Sequence, residues 1–254
     1  MTELRFLMVV WLGLVPATCV WPRHALGEPA CRVVQQRNRV ELHSPFFVFR
    51  LDTAVGLRGE SWENRLSGRK MSLGSGPELE FDLGLPDQPL QTPQLEVSRA
   101  EVKGQGDTGE VLFQLTAKEP AASALVTYRW DAKQPLLHKF VEIVNQGGRE
   151  WNRLLNVRLG SYRTETEPSG AKWQGFPVYL DEEFFLSLAH PAGWAVAEKG
   201  QVQLRQHPGA KVAPGKRFEC MEVVLGVGKA GEAREHFIAH VQSRMRRVAR
   251  GHDK

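Results

Sequence analysis

The sequence predicts an all-β protein: a large antiparallel β-sandwich followed by one amphipathic helix. From about residue 39 to 227 the apolar residues recur with a period of two rather than 3.6. Turn residues break that region at short intervals, and no long helical pattern interrupts it, which disfavours a parallel sheet with crossover helices. Helical spacing emerges only after residue 229. With 254 residues, 42% of them hydrophobic and 24% charged, the chain has material for one large β domain or two small ones. The same figures exclude wholesale disorder, a collagen-like chain and a polytopic membrane protein. One domain with appendages is the simpler organisation: 1–27, a β-sandwich over 28–228, and a helix with basic tail over 229–254.

Taken in order, the first element is an export signal. Arg5 precedes the ten-residue apolar run Phe6 to Val15, Pro16 closes it, and Ala25 and Gly27 are small residues at −3 and −1 of a cut. The run falls short of the roughly 20 apolar residues of a membrane-spanning helix. The reading is therefore cleavage near Gly27 and a secreted or periplasmic product with no membrane attachment afterwards; an uncleaved anchor and a buried helix are the alternatives. Cys19 lacks the aliphatic and small neighbours of a lipidation site. Removing the signal leaves Cys31 and Cys220, which an oxidising compartment could join and which otherwise behave as two buried thiols.

The strands come next. Val111, Phe113 and Leu115 alternate with Glu110, Gln114 and Thr116, and Val202 and Leu204 alternate with Gln201, Gln203 and Arg205, as half-buried strands require. Val126, Tyr128 and Trp130 against Leu125, Thr127 and Arg129, and Arg153, Leu155 and Val157 against Asn152, Leu154 and Asn156, are apolar on a wider front and suit packing between two sheets. Ser67-Gly68, Ser75-Gly76-Pro77, Gln134-Pro135, Gln146-Gly147-Gly148, Pro208-Gly209 and Pro214-Gly215 supply the turns.

The last element is a helix, with Phe237, Ile238, Val241, Met245 and Val248 on one stripe and Gly251 as its stop. Its arginines suit the negative end of the helix dipole. The stripe is expected to fold back on a sheet face, the alternative being a patch that awaits a partner. The chain carries 33 Lys and Arg against 29 Asp and Glu, net +4. Arg244, Arg246, Arg247, Arg250 and Lys254, less Asp253, already supply that excess, so the rest is neutral and nucleic acid is excluded as a partner.

Three stretches resemble the N-terminal domain of clan D glycoside hydrolases, the family 36 α-galactosidases and their relatives. Residues 46–69 hold Trp62-Glu-Asn64-Arg-Leu-Ser67-Gly68, similar to a hairpin ending in W-x-N-x-x-(S/T)-G. Residues 137–145 are similar to a strand of form L-x-K-x-V-x-I-x-N, and residues 175–191 to G-x-P-V-(Y/F) followed by F-F-x-G-x-E-H-P. The resemblance implies a galactose mutarotase-like supersandwich and an exported, non-catalytic role in carbohydrate recognition or as an accessory to a catalytic (β/α)₈ barrel. Ser187 and Ala189 depart from the third pattern, so a ligand role for the acid expected before His190 does not carry over. A retaining glycosidase needs two carboxylates about 5 Å apart. The resemblance places both in the barrel, so no catalytic residue is assigned and no glycoside hydrolysis is expected of this chain alone. It implies carbohydrate as ligand, and as protein partner either a separately encoded barrel or a second copy.

Sugar sites combine aromatic faces with carboxylates, amides or histidine for the hydroxyls. Trp173, Tyr179, Asp181, His190 and Trp194 gather such groups within 22 residues, and Trp62 with Asn64 forms a second candidate corner. Against this stands the reading of these residues as core aromatics and a hydrogen-bonded turn. Asp181, Glu182 and Glu183 read as a solvated acidic loop. Two rival classes remain: a truncated remnant of a longer glycosidase, and an aldose epimerase using one of His43, His138, His190 or His207 with Glu142 or Glu222. His236 and His240 have helical i, i+4 spacing but lack a third ligand, so no metal and no cofactor is expected.

Overall fold

The computed structural model describes residues 30–170 and 174–244. The predicted signal segment 1–27 and the tail beyond Arg244 lie outside the described residues. The architecture is an all-β double layer with one helix on its outside. In chain order the strands are β1 (Arg32–Gln36), β2 (Arg39–His43), β3 (Phe47–Asp52), β4 (Arg58–Asn64), β5 (Arg69–Pro77), β6 (Glu80–Gly84), β7 (Glu96–Gly104), β8 (Thr108–Ala117), β9 (Ala122–Asp131) and β10 (Leu136–Asn145). There follow β11 (Trp151–Arg163), β12 (Ser169–Gly170), β13 (Val178–Leu180), β14 (Phe184–Leu188), β15 (Trp194–Glu198), β16 (Gln201–Gln206), β17 (Ala210–Val212), β18 (Arg217–Glu219) and β19 (Val223–Val227), then α1 (Ala233–Arg244).

One layer is a sheet in the order β12-β13-β14-β19-β10-β9-β8-β7, with β18 also on β10. The other comprises the meander β1 to β5 and the sheet β15-β16-β11-β17 with β6 on β11. These two abut at β5 and β11, where Gly76 is required because a Cβ there would run into the Ser161 carbonyl. All the paired strands are antiparallel, as the alternation predicts. Aromatic pairs join the layers: Phe49 with Tyr128 at 6.0 Å and Trp62 with Phe184 at 5.0 Å between ring centres.

Strand β10 shows how period two positions chemistry. Leu137, Val141, Ile143 and Asn145 are buried on its inner face, and the same phase carries Lys139 into the core. Lys139 donates to Glu78 Oε2 at 2.5 Å and to the Glu78 carbonyl at 3.0 Å, while Tyr128 and Tyr162 give hydroxyl hydrogen bonds of 2.6 and 2.9 Å to that same Oε2. All four residues are fully buried. Burial holds Lys139 below its ordinary pKa, and it raises both tyrosines, with Glu78 adding to that rise.

Strand β11 exists, but the expected alternation of Arg153, Leu155 and Val157 does not. Bulges interrupt its pairing, Asn156 adopts a positive φ of 45°, and within Trp151–Val157 the buried residues are Trp151, Leu154 and Val157. The Cys31–Cys220 bridge is likewise not formed, both being free thiols. Cys31 bridges Gly106 at the β7–β8 turn, beside Ala132, whereas the Cys220 amide bonds Val141, opposite Val126. The six residues from 126 to 132 span roughly 20 Å of strand, far beyond disulfide reach. Burial pushes the Cys31 thiol up to about 11.

Helix α1 does fold back, onto the outer face of β14, β19 and β10. There it covers Leu136, Phe185 and Val224, with Ala233 buried and Phe237 packed edge-on to Phe185 at 5.5 Å. That cover explains why β14 and β19 are buried along their whole length rather than alternately. Gly226 leaves the room in which the Phe185 ring lies.

Candidate functional site

Of the predicted stripe the described helix seats only Phe237 on the sheet. Ala233, Phe237 and His240 turn inward, while Ile238 and Val241 stand 42% and 39% exposed; Met245 and Val248 lie outside the described residues. Polar partners set this rotation. Glu222, in the link before β19, takes bonds of 2.5 and 3.0 Å from the Arg244 guanidinium and one of 2.6 Å from His138 Nδ1, and the His138 ring lies 5.6 Å from that of His240. Burial works to raise the Glu222 pKa, but the hydrogen bonds from His138 and Arg244 outweigh it and hold the carboxyl below its usual range. His240 is pushed down by burial first and by His138 and Arg244 next.

Two clefts flank this helix, sharing Phe237 as a common wall. The larger, about 550 Å³, lies towards β12 and β13 and is lined by Ser169, Phe176, Tyr179, Glu182, Arg234 and Ile238. Phe176 is 58% exposed and Tyr179 half-buried, so the cleft offers two aromatic side chains beside a guanidinium, a carboxylate and a hydroxyl. Burial raises the Tyr179 phenol against the opposing pull of Arg234. The smaller cleft, about 370 Å³, is walled by Leu188, Pro191, Val224 and Val241 and has His190, His240 and Arg244 at its edge.

The predicted sugar residues are dispersed by this geometry. Tyr179 lines the larger cleft and His190 the smaller, where its Nδ1 accepts from the Ala192 amide at 3.0 Å. Trp194 is half-buried in β15, opposite Arg205 in the ladder, and lines neither cleft. Trp173 lies outside the described residues. Asp181 is taken by Arg69, in an ion pair, and by Thr166, whose hydroxyl donates at 2.6 Å. Its neighbour Glu183 is buried rather than solvated and accepts from Ser67 at 2.5 Å.

Trp62 and Asn64 are corrections too. Trp62 is wholly buried, its ring wedged between Phe49 and Phe184, so it has no face to offer a ligand. Asn64 is buried as well: it donates to the Gly228 carbonyl at 2.7 Å and accepts from the Leu66 amide at 2.9 Å. It ties the β4–β5 turn to the start of the helical segment.

The epimerase reading asked for a histidine and a glutamate together, and His138 with Glu222 are the pair the fold unites. They hydrogen-bond one another through His138 Nδ1, and Arg244 binds both oxygens of the same carboxylate. His43 is engaged similarly by Glu41 at 2.9 Å and Arg65 at 3.1 Å. Among the described residues no group of three or more His, Cys, Asp or Glu is placed to hold a metal ion.

No family model and no curated protein matches this chain. Solved structures do. The galactosidase domain of the α-galactosidase–sucrose kinase AgaSK superposes with a TM-score of 0.57 at 10% identity, over 79% of this chain and 42% of that one. The GH36 α-galactosidase AgaB of Geobacillus stearothermophilus gives 0.57 at 11% identity, over 79% and 41%. The α-galactosidase of Lactobacillus brevis gives 0.55 at 10%, over 76% and 40%. The chain has the sandwich fold of family 36 α-galactosidases. It spans about two fifths of the length of those proteins.

Proposed function

We propose that this protein is an exported, non-catalytic carbohydrate-recognition module, and that the 550 Å³ cleft between β12–β13 and α1 receives the sugar. The observation that carries the reading is the meeting of Phe176 and Tyr179 with Arg234, Glu182 and Ser169 around one opening. Aromatic surfaces suit the C–H face of a pyranose, and the guanidinium, carboxylate and hydroxyl supply donors and acceptors for its hydroxyls. The volume is in the range of small-molecule sites.

The fold supports a galactose-containing ligand, since similar structures are α-galactosidases and one of them was solved with raffinose. The recognition role is favoured over turnover because Glu182 is the one carboxylate that lines the cleft among the described residues, its neighbours Asp181 and Glu183 being held by Arg69 and by Ser67 and Asn64, whereas a retaining glycosidase needs two. A calorimetric screen of the exported protein against galactose, raffinose and unrelated glycans, run beside an aryl α-galactoside assay, tests both halves. Saturable binding of an α-galactoside without turnover is expected. Release of the aryl group by the pure protein would overturn the non-catalytic half, and failure to bind any glycan would overturn the rest.

A further inference from the structure

The smaller cleft, on the opposite side of Phe237, differs in chemistry from the first. Its walls are the aliphatic side chains of Leu188, Pro191, Val224 and Val241 with the Phe237 ring, a surface without partners for the many hydroxyls of a sugar. Its polar groups converge at one corner. His240 is 8% exposed, and among the described residues neither of its ring nitrogens has a hydrogen-bond partner; what it has is ring contact with His138. A buried polar ring that borders a cavity and lacks a partner is the group a ligand would satisfy. Arg244 stands beside it. Among the described residues Glu222 engages two of its five N–H donors, and Arg244 borders the cavity.

We propose that this cleft is a second, separate ligand site, built for a small apolar carboxylate: an aryl or branched alkyl group against Leu188, Val224, Phe237 and Val241, with its carboxylate on His240 and Arg244. A cavity of 370 Å³ has room for about twelve water-sized groups at ~30 Å³ each, which suits a phenyl ring with a short acid chain. The charged and titratable groups that face His240 are His138 of β10, Glu222 from the link before β19 and Arg244 of its own helix, with His190 across the cavity. Glu222 is the one anion among them, and the Arg244 guanidinium already balances it. A bound carboxylate therefore meets a site of net positive potential once His240 takes a proton. Affinity should rise as pH falls from 7.5 to 5.5.

The test uses 3-phenylpropanoate and its uncharged amide, titrated into the full protein by calorimetry at both pH values. The acid is expected to bind saturably, at least tenfold more tightly than the amide, and more tightly at pH 5.5. Val241→Trp fills the cavity from a half-exposed position and is expected to abolish binding while leaving the melting temperature within a few degrees. Arg244→Gln is expected to weaken the acid alone. Equal binding of acid and amide, binding that survives Val241→Trp, or no binding of the acid at 10 mM (a probe concentration about tenfold above a ~1 mM site) would each overturn the proposal. Raffinose binding in the larger cleft is read separately in the same Val241→Trp protein, so failure of one site is distinguishable from failure of the other.

Discussion

His138 and Lys139 are neighbours on β10 that point to opposite faces, and each grips a carboxylate, yet the two pairs differ in kind. Lys139 reaches Glu78 in a fully buried cluster between the layers, completed by Tyr128 and Tyr162. His138 reaches Glu222 under α1, at the edge of a cleft, with Arg244 half-exposed on the other side of the carboxylate. The inner pair has no route to a ligand, so its value is structural. The outer one sits where helix, sheet and solvent meet, and it decides which face of α1 looks inward. Ion-pair chemistry alone does not mark a functional site; its position relative to a cavity does.

The largest effect is expected at the inner pair. Lys139→Ala leaves Glu78 buried without its cation, a change that costs about 3–5 kcal/mol. For a domain of this size that corresponds to a fall in Tm of roughly 10 °C, measured by thermal denaturation. Glu78→Leu with Lys139→Met should recover only part of the loss, since removing both charges removes the unpaired one but leaves the buried Tyr128 and Tyr162 hydroxyls without their acceptor. A smaller effect, about 1–3 kcal/mol, is expected for Asn64→Ala in a denaturant titration, because the Leu66 amide and Gly228 carbonyl lose their buried partner.

The outer pair predicts a pH response instead. His240 has a pKa held below 6.5, as does His43, so both favour the folded state in their neutral forms. The stability they contribute is complete above pH 6.5 and is lost as pH falls through that value towards their folded pKa. Glu222, lowered from 4.5, adds a second loss below pH 4.5. Tm should therefore fall in two steps on acidification, and His240→Gln should shrink the first; His43→Gln separates the share of the other histidine. The smallest change is expected outside. Ile238→Asp, at an exposed position on the helix, should shift stability by no more than about 0.5 kcal/mol, whereas a helix seated on its predicted stripe would lose far more.

Much of the fold was legible because period two is a local property: Val111, Phe113 and Leu115 face inward as their spacing requires. The phase that buries Lys139 was written in the same alternation, but its partner Glu78 lies 61 residues away and no local pattern connects them. The helix was recognisable, yet its rotation depends on Glu222 and His138, which sequence spacing cannot bring to it. The site was less legible still. Tyr179 and His190 reach clefts, while Trp62 and Asn64, the corner singled out by the family resemblance, serve packing and a turn. Phe176, Arg234 and Phe237 were missed as a cleft because 58 residues separate the first two in sequence. The run Phe184 to Leu188, with Phe185 apolar on the face opposite Phe184, Leu186 and Leu188, was the available hint that an outer face is covered.

The claim that recognition belongs to the cleft beside α1 is tested most directly by calorimetric titration of raffinose into wild-type protein and a Tyr179→Ala variant whose thermal melt is matched to it. If recognition belongs to that cleft, the wild type binds saturably and the variant loses at least tenfold in affinity at unchanged Tm. Undiminished raffinose binding by folded Tyr179→Ala protein would contradict it.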